Sequence, residues 1–237
     1  MVLNIIFEDE SLLVLAKPPG QIVNKAETTK NQLTLQDELE KYFKIGKSEE
    51  GIGGRAGIVH RLDKETSGIL VVARAEEAFF NLQAQFKARE TSKEYLTLVH
   101  GRTPKEGRVN EPLGRISAFG GKFGVVLGGR ESQTDYRVRD YREGREGEVF
   151  SFLDVHPLTG RTHQIRVHLK HIGHPVVSDP LYLAPKRLKD DLEFCPRLFL
   201  HAFSLSFSHP TSGARMRFEA ELPTDLQSVI DSLKIIS

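Results

Sequence analysis

Three times in this chain a strand-like run meets a short polar turn and is followed at once by another such run. Glu8-Asp9-Glu10-Ser11 separates residues 5–7 from 12–16. Glu143-Gly144-Arg145-Glu146-Gly147 separates 134–142 from 148–155, and His209-Pro210-Thr211-Ser212-Gly213 separates 198–207 from 215–222. Turns this short join antiparallel neighbours, because a parallel return needs a crossover of roughly a dozen residues or more. The chain is therefore expected to form an α+β fold on a mixed, largely antiparallel sheet with flanking helices, not an alternating β-α-β wheel.

Between the hairpins the pattern changes period. Leu35, Leu39 and Phe43 give a short helical stripe. Residues 68–74 read as a buried strand, followed by a helix over 75–89 with Phe79, Leu82 and Phe86 on one face, and residues 93–100 are strand-like again. Residues 162–172 place Ile165, Leu169 and Ile172 at i, i+4 and i+7, with Thr162 available as N-cap and Gly173 and Pro175 beyond the end, so a helix is expected there. A last helix starts at Thr224. Lys17-Pro18-Pro19-Gly20 stops the second strand; residues 46–57 read as a polar, Gly-rich, mobile loop, and residues 114–129 carry no clear signal.

Hydrophobic residues at 39% and charged residues at 27% of 237 suit a folded core. The single cysteine, Cys195, excludes an intramolecular disulfide framework and any multi-cysteine zinc or iron-sulfur site, and it fits a reducing compartment, so a cytoplasmic location is expected. The opening residues show neither a basic leader nor an apolar run of membrane length, and no export or membrane segment is expected. Net charge is only +1, but it is unevenly spread. Residues 1–50 carry nine acids and six lysines, whereas residues 155–178 hold Arg161, Arg166 and Lys170 with no acid. That contrast fits RNA or phosphate binding, and it equally fits ordinary charge scatter.

Several motifs are readily set aside. Gly51-Ile52-Gly53-Gly54-Arg55-Ala56 imitates a dinucleotide loop, but the polar residues before it are no buried strand. There is no full GxxxxGK[ST] phosphate-binding loop, no HExxH and no GxSxG. His163, His168, His171 and His174 have no acidic or thiol ligand among them and read as solvated or RNA-facing, so no metal and no cofactor are expected. The informative stretch is His60-Arg61-Leu62-Asp63-Lys64-Glu65-Thr66-Ser67-Gly68, a polar turn ahead of a buried strand. Asp63 there, flanked by Arg61 and Lys64, suits a nucleophile or general base held ionised at a rigid edge. It suits equally a capped loop in which the carboxylate only bonds the amides of Thr66 or Ser67.

The segment HRLDKETSGILVVAR resembles the signature of the RNA pseudouridine synthases, in particular the branch that acts on ribosomal and transfer RNA. EDESLLVLAKPPG, SKEYLTLVHG, LTGRTHQIRVHLKHIGHPVVSDPLY and RLFLHAFSLSF match the same family in the same order, from Glu8 to Phe207. The resemblance implies one catalytic domain over residues 1–237, a sheet in two halves with a central RNA-binding cleft, and no separate N-terminal RNA-binding domain. It implies conversion of uridine to pseudouridine without a cofactor, by a monomer whose partner is RNA. By position it makes Asp63 the catalytic aspartate, Tyr95 the ring that stacks on the uracil and Arg166 the ion-pair partner of the aspartate. Arg61 becomes the residue that fills the gap left by a flipped-out base.

Each role has a physical basis. A stacked base must leave its stack to react, and a planar cation can occupy the vacancy. An ordinary aspartate is already ionised at neutral pH, so an arginine partner offsets desolvation and fixes orientation. Arg55, Lys64, Arg161 and Lys170 are the expected phosphate contacts. Two departures stand out: residues 24–34 do not follow the family pattern, and Ser178 replaces the glycine expected before Asp179-Pro180. The alternatives are a catalytically silent RNA-binding relative, against which Asp63, Tyr95 and Arg166 stand together, and an aspartyl phosphotransferase, which lacks neighbouring acids for magnesium.

Overall fold

The computed structural model describes residues 3–29, 32–44, 51–116 and 121–237. Its strands are β1 (Ile5–Glu8), β2 (Leu12–Lys17), β3 (Ser67–Ala73), β4 (Ser92–His100), β5 (Glu106–Asn110), β6 (Leu113–Arg115) and β7 (Phe123–Val125). They continue with β8 (Gln133–Glu143), β9 (Val149–Pro157), β10 (Leu200–Ser208), β11 (Arg215–Glu219) and β12 (Lys234–Ile236). The helices are α1 (Leu35–Phe43), α2 (Gly51–Arg55), α3 (Glu76–Ala88), α4 (Gln164–His171), α5 (Pro185–Leu192) and α6 (Thr224–Ser232). The chain divides into two compact units, residues 1–92 with 202–220 and residues 93–201 with 221–237.

In the first unit the strand order is β1-β2-β3-β10, with β11 paired to β10. β1–β2 and β10–β11 are antiparallel, as the hairpin signals require, and β2–β3 is antiparallel as well. β3 is buried along its whole length, which explains its unbroken apolar run. Leu12, Val14, Ile69, Val71, Leu205 and Phe207 form a core on which α3 lays Ala78, Phe79 and Leu82. The β2–β3 register pairs Leu12 with Ala73 and Lys17 with Gly68, so the end of β2 and the start of β3 lie side by side. Gly68 has φ +120°, and a Cβ there would stand 2.2 Å from the Ala202 carbonyl oxygen, so no other residue fits.

Residues 51–55 are helical, which corrects the loop expected over 46–57; residues 46–50 lie outside the described residues. Glycine has poor helix propensity, and here tertiary contacts override it. Gln36 Nε2 donates to the Gly54 carbonyl at 3.2 Å. The turn closes through Gly57 N–H to Ile52 O and Ile58 N–H to Arg55 O, both 3.0 Å. Gly57 (φ +77°) permits a close approach in which a Cβ would meet Ala73 O at 1.9 Å.

The second unit has the order β4-β9-β8-β12, with antiparallel ladders β4–β9, β8–β9 and β8–β12. β5 pairs with β8 from Gln133 to Arg137, and β12 takes the same strand from Tyr141 to Glu143. β6 and β7 form a separate hairpin within the stretch that carried no sequence signal. α4 starts at Gln164, one residue later than a Thr162 cap would place it, because Thr162 is not its cap. His163 holds that place with φ +56° and makes no side-chain cap bond. The Gln164 carboxamide folds back instead, accepting from Arg161 N–H at 3.0 Å and Thr159 Oγ1 at 2.6 Å. Among the described residues no helix is long and apolar enough to cross a membrane.

Candidate active site

In the first unit the stretch around Asp63 is an irregular loop between Ile58 and β3, fixed from below. Leu62, Thr66 and Ser67 are buried, Asp63 is half-buried, and Arg61 and Lys64 are exposed. The Lys64 carbonyl accepts from Gly20 N–H at 2.8 Å and from the Lys17 ammonium at 3.1 Å. Lys17 is only 2% exposed, and its ammonium also donates to Pro18 O at 2.7 Å and Gln21 O at 3.1 Å. A buried cation with three carbonyl acceptors is satisfied, and it ties the Lys17-Pro18-Pro19-Gly20 segment to the residue after Asp63. The Thr66 amide donates to the main-chain carbonyl of Asp63 at 3.2 Å. His60 acts on the scaffold: its Nε2 accepts from Val71 N–H at 3.0 Å and its ring stacks on Phe86 at 4.6 Å. Arg55 is exposed at the end of α2.

Tyr95, Arg161, Arg166 and Lys170 lie in the second unit. Tyr95 is half-buried on β4, opposite Val155 of β9. Arg161 Nε donates to Glu131 O at 3.3 Å. Arg166 and Lys170, one turn apart on α4, share a neighbour that sequence reasoning did not single out, Tyr182. The Arg166 guanidinium carbon lies 5.1 Å and the Lys170 ammonium 5.6 Å from its ring centroid. The Tyr182 hydroxyl accepts from Phe123 N–H at 3.1 Å and bonds His163 Nδ1 at 2.9 Å. Lys170 is exposed and Arg166 buried, although both stand on the same helix. The partner of Arg166 in its own unit is Asp179, which grips it by two hydrogen bonds at 2.8 and 2.7 Å. Asp179 stands in the matched Ser178-Asp179-Pro180 segment, and that position was its only sequence signal.

Ser178 clarifies the missing glycine. It has φ +55°, the left-handed region that glycine normally serves. It is buried, its hydroxyl donates to Cys195 O at 2.7 Å, and its amide donates to Asp191 Oδ2 at 2.8 Å. These bonds compensate a conformation that costs a side-chain-bearing residue about 1 kcal/mol.

The histidine cluster is corrected in part. His168 is neither solvated nor RNA-facing: it is fully buried, with Nδ1 2.9 Å from Thr134 Oγ1 and Nε2 3.0 Å from Glu111 O. Burial pushes its pKa below the ordinary histidine value. His174 Nδ1 lies 2.8 Å from His100 O. Among the described residues no three His, Cys, Asp or Glu side chains gather as a metal-holding group.

Residues 11–171 match the family model described as RNA pseudouridylate synthase. The chain is 40% identical over 239 residues to ribosomal large subunit pseudouridine synthase D of Zymomonas mobilis, covering 98% of this chain and 73% of that protein. It is 42% identical over 220 residues to an uncharacterized RNA pseudouridine synthase of Chloroflexus aurantiacus, covering 92% of this chain and 65% of that one. Among solved structures, human RNA pseudouridylate synthase domain containing 1 superposes with a TM-score of 0.75 at 29% identity, over 100% of this chain and 89% of that one.

Proposed function

Because the chain belongs to the RNA pseudouridylate synthase family, whose activity is the isomerisation of uridine to pseudouridine in RNA, we propose that its substrate is ribosomal RNA and that Asp63 is the essential carboxylate. The substrate assignment is supported by the likeness, over 98% of this chain, to a protein named for the large ribosomal subunit. The Asp63 assignment is supported above all by the loop itself. An exposed, freely turning aspartate would spend little time in a reactive pose, whereas bonds to the main-chain carbonyls of Asp63 and of Lys64 after it hold its backbone just ahead of a rigid strand.

The reaction breaks the N1–C1′ bond of uridine, turns the ring and joins C5 to C1′; N1 gains a hydrogen and C5 loses one. Asp63 acts on the base, on the sugar carbon or on a ribose proton. Tyr95 stacks on the uracil, and Arg166 serves as ion-pair partner of the reacting carboxylate. Arg61 fills the position of the flipped base, and the exposed cations Arg55, Lys64 and Lys170, with the half-buried Arg161, meet phosphates, positioning the RNA without reading its sequence.

Incubating the purified protein with large-subunit ribosomal RNA and with transfer RNA transcripts, and mapping pseudouridine at nucleotide resolution, tests this directly. New pseudouridine at one or a few positions in the ribosomal RNA is expected. Product in transfer RNA alone overturns the substrate, and RNA binding without any product favours a silent binding relative.

A further inference from the structure

The Arg166–Asp179 pair is withdrawn from water: Arg166 is 4% exposed and Asp179 0%. Asp179 Oδ2 accepts from Arg166 Nε at 2.8 Å and Oδ1 from Nη2 at 2.7 Å, so a planar carboxylate meets a planar guanidinium along one edge. Oδ1 also accepts from the amides of Leu181 at 2.9 Å and Tyr182 at 3.1 Å. The carboxylate is thus fixed by the main chain before it fixes the arginine.

Stability alone does not account for this arrangement. A buried ion pair seldom holds a fold together better than apolar residues of the same volume. α4 already supplies Ile165, Val167 and Leu169 to the interior. A two-point grip does what a packed leucine or a single charge contact does not: it sets the plane and rotamer of the guanidinium. The Tyr182 ring, 5.1 Å from the guanidinium carbon and itself tied down through its hydroxyl, limits movement out of that plane.

We propose that Asp179 is the positioning residue of Arg166, holding its guanidinium by the Nε–Nη2 edge in a single plane and rotamer. This rests on the participation of Arg166 in the reaction proposed above. Asp179 itself touches neither substrate nor reacting atoms; it acts through Arg166.

The test is a double-mutant cycle read in single-turnover rate and RNA affinity. Asp179→Asn keeps volume and loses the charge and one acceptor, and it is expected to slow pseudouridine formation about 100-fold, the scale of a misplaced reactive group, with RNA affinity unchanged. In an Arg166→Ala background, Asp179→Asn is expected to add no further slowing, because the residue it positions is gone. Rate losses that simply add, or a wild-type rate in Asp179→Asn, overturn the proposal. Arg166→Ala separates this from the underlying assignment: a slow Arg166→Ala with a fast Asp179→Asn refutes positioning alone, whereas a wild-type rate in Arg166→Ala removes Arg166 from the reaction and the proposal with it. Arg166→Lys decides the matter if Asp179→Asn does not fold. It keeps a cation beside Asp179 but not the fork, and it is expected to fold and be about 100-fold slow; a wild-type rate there overturns the proposal.

Discussion

The loop around Asp63 and the helix carrying Arg166 hold opposite charges in opposite ways. Asp63 is half-buried on irregular backbone, and the backbone is what is anchored: the neighbouring Lys64 carbonyl is tied to Gly20 N–H and to the buried Lys17 ammonium. Arg166 is buried on a regular helix, and its side-chain head is what is anchored, by both oxygens of Asp179. A loop gives a carboxylate access and so needs bonds from outside the loop to hold it. A helix gives a rigid base, but a long side chain on it needs its own clamp.

The largest effect expected from breaking this contrast is on the charge-anchored side. Arg166→Ala leaves the Asp179 carboxylate fully buried without its counterion, at a cost of about 3–5 kcal/mol. Urea unfolding measures it, and an unchanged midpoint and slope would show that the pair contributes nothing to the fold. The backbone-anchored side should lose less. Lys17→Met removes the donor to the Pro18, Gln21 and Lys64 carbonyls, but Lys64 O keeps its bond from Gly20 N–H, so about 2 kcal/mol is expected. A loss as large as that of Arg166→Ala would erase the distinction.

A third prediction uses pH on the second unit. The His168 pKa is depressed by burial, so the unfolded chain binds its proton first as pH falls. Stability from this group is complete above about 6.5 and declines as pH drops through that value toward the folded pKa. Asp9, Asp37, Asp135 and Asp225 also have lowered values, but their stabilisation is lost only below about 3.8. His168→Gln should therefore flatten the stability profile just below about pH 6.5 and leave the limb below about 3.8 alone. An unaltered slope in that window would place the effect elsewhere. The smallest effect belongs to Lys170, exposed on α4 over Tyr182. Lys170→Ala should reduce the log-log salt dependence of RNA binding by a little under one unit, without changing which uridine is modified. An unchanged salt slope would mean that Lys170 meets no phosphate.

The same contrast governs what could be read from residues alone. The hairpins at Glu8–Ser11, 143–147 and 209–213, the buried strand β3 and the amphipathic α3 and α6 rest on local turn chemistry and apolar period, and all are present. α5 has only Asp191 buried, so no apolar stripe announces it, although Pro185 stands where a helix begins. α2 is held by Gln36 and by a glycine close approach, neither of which is local. At the site, Asp63 showed itself as an acid between cations before a strand. Asp179, Tyr182 and the Lys17 anchor depend on contacts between distant segments, which no spacing reveals. His168 misled for the same reason: its partners, Thr134 and Glu111, lie far along the chain.

The most direct test of the central claim, that a carboxylate held by an anchored loop performs the isomerisation, is the single-turnover release of tritium from RNA labelled at uridine C5. Joining C5 to the sugar expels that hydrogen, so release reports the reaction itself. Asp63→Asn is expected to bind the RNA as the wild type does, to unfold at the same temperature and to release tritium at least about 10³-fold more slowly, since it removes nucleophile or base character at almost constant volume. Release at the wild-type rate from folded Asp63→Asn protein would contradict the account.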